Sequence, residues 1–162
     1  MDTSGGHWTL IQRRSKGDQD FNKDWNYYKN GFGDVATGDF WLGNEILHQL
    51  TTNEDYMLRI DLWESTGKYK YAEYNTFEVL AEKDNFRLVL AGYHGNASDA
   101  MGYHNGMAFS TLIEIMIQAK PLIVLTFTTV DGGITTANML TSMDATVLVS
   151  HGMTLMAKNG LS

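Results

Sequence analysis

The 162-residue chain changes character at Thr111, and no single folding pattern runs across that point. Residues 1–110 hold 18 of the 19 aromatic residues and 26 of the 31 charged ones, whereas residues 111–162 hold one aromatic, Phe127, and five charges. The second part carries five of the nine Met and many Leu, Ile, Val and Thr, but its apolar residues come in clumps. Without a sustained period of 2 or 3.6, a segment has no continuous face to turn toward a core. The junction "MAFSTLIEIMIQAKPLIVL" (107–125) is not a membrane span. The longest apolar stretch, "PLIVLTFTTV" (121–130), is about half of the roughly 20 residues a spanning helix needs.

The first part reads as α+β. In "DFNKDWNYYKNGFG" (20–33) Phe21, Trp25 and Tyr28 recur at i, i+4 and i+7, which predicts a short helix with Asp20 as its cap and Gly31 as its stop. "LGNEILHQLTT" predicts a second short helix around Glu45–Leu50. "YMLRIDLWE" sets Tyr56, Leu58, Ile60 and Leu62 on one face against Arg59 and Asp61 on the other, the pattern of a half-buried strand. After a turn at "STG" (65–67), "KYKYAEYNTFEVL" predicts one or two strands with a bulge. A turn at "KDN" (83–85) then leads into the strand "FRLVLAGY". Short helices followed by an antiparallel meander are the expected order.

Several function classes drop out. A net charge of −7 argues against nucleic acid and anionic membranes, whose phosphates need a basic face. The absence of Cys removes disulfides and thiolate metal sites. "MDTSGGHWTL" has neither the basic start nor the apolar run of a signal peptide. His48, His94 and His104 lack the spacing of a helical metal pair, no G-x-S-x-G elbow is present, and "GFGDVATG" lacks the basic residue of a phosphate loop. The residues therefore predict no enzyme, no catalytic site and no metal site. Trp8, Phe40, Trp41 and Tyr103 are expected in the core, and Gly31, Gly33, Gly43 and Gly106 at turns needing positive φ. Arg13 and Arg14 suit a structural or solvated role better than a ligand patch. "NAS" at Asn96–Ser98 fits the N-glycosylation acceptor pattern, making Asn96 a candidate modification site in a secreted chain.

Four stretches in order, "WTLIQRR", "FWLGNE", "LRIDL" and "YHNGMAFST", resemble the fibrinogen C-terminal domain, the family of fibrinogen chains, ficolins, tachylectin-type lectins, angiopoietins and tenascins. The resemblance covers residues 1–111. It implies a secreted, disulfide-bonded, calcium-binding domain that recognises carbohydrate, an acetylated ligand or a protein. It also implies that Met1 falls inside the domain, with the first cysteine pair and a secretion signal upstream. The residues assign no oligomeric state.

After "FST" the family pattern calls for one residue and then an acidic calcium loop of the type Asp-Arg-Asp-Asn-Asp, where this chain has "LIEIMIQAK". The genetic code supplies a reason. Joining the third base of each codon to the first two of the next, Leu112–Ile113 can spell Asp and Ile113–Glu114 Arg. Glu114–Ile115 can spell Asp, Ile115–Met116 can spell Asn, and Met116–Ile117 must spell Asp. "DGGITTA" (131–137) can hide Trp-Trp-Tyr-Asn-Asn-Cys, and Ile123–Val124 another Cys; Met143–Asp144 must hide Gly. One lost base before the hidden Asp codon accounts for the register. Residues 112–162 are thus expected to be an out-of-frame or alternative tail with no domain of its own. They would leave the chain without the calcium and ligand subdomain and without the strand that returns to the central sheet.

Overall fold

The computed structural model describes residues 8–63, 67–111, 128–130, 133–135 and 144–151. In chain order they form β1 (Thr9–Arg14), α1 (Trp25–Asn30), β2 (Phe32–Gly33), β3 (Phe40–Trp41), α2 (Asn44–Thr51), β4 (Tyr56–Trp63), β5 (Tyr69–Val79) and β6 (Leu88–Gly95). They are followed by β7 (Thr128–Val130), β8 (Gly133–Thr135) and β9 (Asp144–His151). One sheet has the order β2-β3-β1-β9-β4-β5-β6, antiparallel throughout, and β7 and β8 pair separately.

The α+β class holds, with a strand ahead of the helices. β1 is hard to read because it holds Gln12, Arg13 and Arg14, yet its charged residues find partners within the fold. The Arg13 Nε–H donates to the Gly38 carbonyl at 2.7 Å, and its guanidinium lies 5.6 Å from the Phe40 ring centre. Arg14 covers Phe21 at 4.9 Å. Both arginines are therefore structural.

α1 is shorter than the aromatic spacing predicts. Asp24, not Asp20, is its cap, accepting from the Tyr27 N–H at 3.2 Å, while Asp20 closes its own turn onto the Asn22 N–H at 2.8 Å. Phe21 precedes the helix and is buried, and its carbonyl accepts the Tyr28 hydroxyl at 2.7 Å. Phe21, Tyr28, Phe32, Trp25, Phe86 and Phe109 meet edge-on or tilted, with ring centres 5.1–5.8 Å apart. Burial in this cluster pushes the Tyr28 hydroxyl up to about 12. Phe109 ties "YHNGMAFST" to the helices, and Ser110 and Thr111 end it fully inside, at 1% and 2% exposure.

β4 is buried on both faces, so the expected half-buried strand is corrected. Leu58, Ile60 and Leu62 face the core with Ile11, Leu47, Tyr74 and Phe77, and Arg59 and Asp61 are buried too. Opposed carboxylate and guanidinium groups make this tolerable. The expected bulge lies in β5: Leu58 pairs with Tyr74 and Tyr56 with Phe77, two residues against three. The "STG" turn falls largely outside the described residues; Gly67, described, has φ +80°. "KDN" is a 3₁₀ turn ending in left-handed Asn85, and β6 starts only at Leu88 because Phe86 also has positive φ.

Phe40 and Trp41 are core as expected, and Trp8 is half-buried. Tyr103 is not core: it is 69% exposed, because the short 3₁₀ turn at Gly102–His104 points His104 inward in its place. The four glycines all have positive φ. The expectation that the sheet lacks its returning strand is also corrected. β9 fills the slot between β1 and β4, with Val149 opposite Thr9 on one side and Leu58 on the other. "DATVLVSH" is β-prone, and pairing there satisfies backbone groups of both flanking strands.

Gly33 is the position least able to change. Its φ is +91°, and a Cβ would sit 2.2 Å from the Asp39 carbonyl oxygen, which is backbone and cannot give way. Gly33→Ala should lower stability by about 1–3 kcal/mol, read from the midpoint of urea unfolding. An unchanged midpoint would show that this close approach is not kept in solution.

Candidate functional site

The described residues hold one concentrated polar site, on the face of β4–β5–β6 opposite the core. Side chains alternate along each strand, so Arg59 and Asp61 on β4 share this face with Tyr69, Tyr71 and Glu73 on β5 and His94 on β6. The Arg59 Nε–H donates to Asp61 Oδ1 at 2.9 Å, one Nη to Glu73, and the other to the Tyr69 hydroxyl at 2.6 Å. Tyr69 in turn donates to Asp61 at 2.6 Å. The guanidinium also lies 4.8 Å from the Tyr71 ring centre. His94 Nε2 reaches Glu73 at 2.6 Å from the solvent side. Burial alone would pull the Arg59 pKa down; bonds to Tyr69 and Asp61 outweigh it and hold the group above its ordinary value. Burial, then the bond to Asp61, raises the Tyr69 hydroxyl.

This arrangement fixes charge: Arg59, Asp61, Glu73, Tyr69 and His94 each bond to another member of the set. It orients two exposed rings: Trp63 and Tyr69 stand 40% and 41% exposed with centres 5.4 Å apart. Sequence reasoning set Arg59 and Asp61 on one face but missed the convergence, because Glu73 and His94 come from strands whose register only the folded sheet sets.

A cleft of about 460 Å³ lies between the end of α2 and the β5 bulge, lined by Glu54, Asp55, Tyr56, Asn75, Phe77 and Glu78 among others. The three histidines are separate. His48 Nδ1 contacts the Val79 carbonyl at 2.8 Å, His94 belongs to the polar face, and His104 is buried with its Nδ1 unpartnered. Burial lowers the His104 pKa. Asn96 lies just beyond β6, exposed, with its Oδ1 accepting from the Tyr71 N–H at 2.7 Å. Among the described residues no three His, Asp or Glu side chains gather as a cation would need. Glu114 and Asp131 lie outside the described residues.

The family model described as "Fibrinogen beta and gamma chains, C-terminal globular domain" matches residues 1–114. The chain belongs to the fibrinogen C-terminal domain family. Fibrinogen-like protein A of Apostichopus parvimensis is 45% identical to it over 111 residues, covering 68% of this chain and 39% of that protein. Human angiopoietin-related protein 7 is 48% identical over 112 residues, covering 68% and 32%. The chain spans about a third to two fifths of the curated relatives it matches. Among solved structures, the fibrinogen-like globe domain of human ANGPTL6 superposes with a TM-score of 0.79 at 30% identity, covering 94% of this chain and 82% of that one. A lamprey fibrin D-dimer complexed with the peptide Gly-His-Arg-Pro-amide superposes at 0.74 and 28%, covering 99% and 66%. In this fibrinogen C-terminal domain the family match stops three residues past Thr111, where the composition breaks.

Replacing the central cation of the polar face tests how dry it is. Arg59→Met would leave buried Asp61 with only Tyr69 and half-buried Glu73 with only His94, and should cost about 3–5 kcal/mol, measured by urea unfolding. A loss below about 1 kcal/mol would show the network to be screened like a surface ion pair.

Proposed function

We propose that the chain is a fragment of an extracellular fibrinogen-related recognition protein, a lectin-like or receptor- or matrix-binding module, whose ligand-binding part is not read in frame. The observation that carries this is the coincidence at Thr111. The family match ends at residue 114, and from Leu112 onward the shifted codons can spell the family's acidic loop. The structure adds a physical sign at the same place. Thr111 is 2% exposed and its Oγ1 has no hydrogen-bond partner. Buried polar groups ordinarily find partners, so an orphan at the junction suits a replaced neighbour.

The module reading, not an enzyme, is supported by the polar face, where Arg59, Asp61, Glu73, Tyr69 and His94 are bonded to one another. For the intact domain the partner is a carbohydrate, an acetylated ligand or a protein; a related fibrin carries a peptide ligand. A second reading is a pseudogene product with no folded activity. It is favoured by "LIVLTF" (122–127), a low-charge, β-prone run of the kind that aggregates.

The deciding test is the nucleotide sequence around codon 111 in genome and transcript. Restoring one base between Thr111 and Leu112 should yield a family-like continuation in which twelve residues separate two Cys. Codons that spell anything else in that frame would sink the reading. The two versions of the protein should also differ in calorimetry. The chain as written should show no calcium binding, since its tail offers only Glu114, Asp131 and Asp144, 13 to 17 residues apart. The frame-restored protein, with its upstream segment, should bind. Micromolar binding by the chain as written would show that a working site had been discarded.

A further inference from the structure

We propose that Asn96 carries an N-linked glycan, and that this glycan stands over the open end of the sheet's edge strand. The proposal rests on the extracellular reading, because the donor, a polyprenyl-diphosphate-linked oligosaccharide, is met only in the secretory compartment. Asn96-Ala97-Ser98 is the one N-x-[ST] triplet in the sequence. Asn96 and Ser98 are exposed, and Ala97 between them is buried at 8%. The turn is pinned: the backbone N–H groups of Asn96 and Ala97 both donate to the Tyr71 carbonyl, at 3.1 and 3.0 Å.

The side-chain amide is oriented as an acceptor of sugar requires. Only its oxygen can accept the Tyr71 N–H, at 2.7 Å, so Nδ2 points the other way and bonds to no described residue. In the transfer, Nδ2 attacks the anomeric carbon of the donor. The bond from that carbon to the diphosphate oxygen breaks, the lipid diphosphate leaves with the electron pair, and Nδ2 gives up one proton. The product keeps Oδ1 free for Tyr71, so the folded turn tolerates the modification.

The position has a consequence for the edge. Among the described residues β6 pairs with β5 alone. Residues 105–107 cover its first half, through Leu88 N–H to the Met107 carbonyl, Gly106 N–H to the Leu88 carbonyl, and Leu90 N–H to Asn105 Oδ1. Beyond Leu90, Gly92, His94 and Gly95 are exposed. An uncovered edge invites pairing with another chain. A glycan on the residue next to Gly95 blocks that approach.

The test translates the full chain behind a supplied signal peptide in the presence of microsomes, so its outcome does not depend on where the native chain resides. A mass increase of one glycan is expected, lost on treatment with peptide N-glycosidase, absent in Asn96→Gln and Ser98→Ala, and kept in Ser98→Thr. Ser98→Ala leaves Asn96 and its bond to Tyr71 in place, so a misfolded Asn96→Gln cannot mimic the result. A luminal chain of unmodified mass, or an increase that survives Ser98→Ala, would overturn the assignment. In size-exclusion chromatography the Ser98→Ala protein should shift toward higher-mass species relative to the glycosylated one; identical profiles would overturn the shielding role. The extracellular reading fails separately if an antibody to residues 1–111 finds the native chain only in the cytosol.

Discussion

An arginine at 6% exposure in the middle of a sheet is the constraint around which this half of the molecule is arranged. Arg59 cannot shed its charge, and burying it alone would cost several kcal/mol. It needs acceptors in fixed places, and it takes them from three points: Asp61 on its own strand, and Glu73 and Tyr69 on the next. The two partners on β5 hold that strand in one register, since a slip by one residue would send Glu73 and Tyr69 to the apolar face. Leu58, Ile60 and Leu62 on the opposite face demand the same register against Tyr74 and Phe77. Polar and apolar requirements agree, which is what makes a single pairing the stable one.

A comparable logic holds the first strand and loops. Asp39 is 1% exposed, and its carboxylate accepts from the backbone N–H groups of Ser15, Lys16 and Gly17 at 2.7–3.2 Å. Burial works against its ionised form, but these donors win and keep its pKa below the usual carboxylate range. Such a nest closes the chain after β1 onto β3 without any regular element between them.

What the sequence revealed follows from where the periodic signal is strong. β4 was legible as a strand because Tyr56, Leu58, Ile60 and Leu62 alternate, although the burial of Arg59 and Asp61 on its other face was not. β1 was not, since "TLIQRR" places Arg13 and Arg14 where only contacts with Phe40 and Phe21, distant in sequence, make them strand residues. Tyr103 was misplaced because adjacent Tyr and His compete for one inward position, and only the 3₁₀ turn decides between them. The polar face could be seen on one strand but not across three. The family was legible from local motifs, because short ordered stretches such as "FWLGNE" and "YHNGMAFST" identify it without any knowledge of the fold.

The strand at the centre of the sheet comes from the far end of the chain, and that sets an order of events during synthesis. β9 pairs with β1 and β4, so Thr9 waits for Val149. Until then the protein consists of two half-sheets, β2-β3-β1 and β4-β5-β6, each with a bare interior edge. At about 5–20 residues per second, the stretch from Gly95 to Asp144 takes roughly 2–10 s to emerge. During that interval β1 and β4 present unpaired donors and acceptors to every other nascent chain nearby. Unpaired strand edges of this kind are where nascent chains associate, so the late arrival of β9 sets how long the two half-sheets must stay apart.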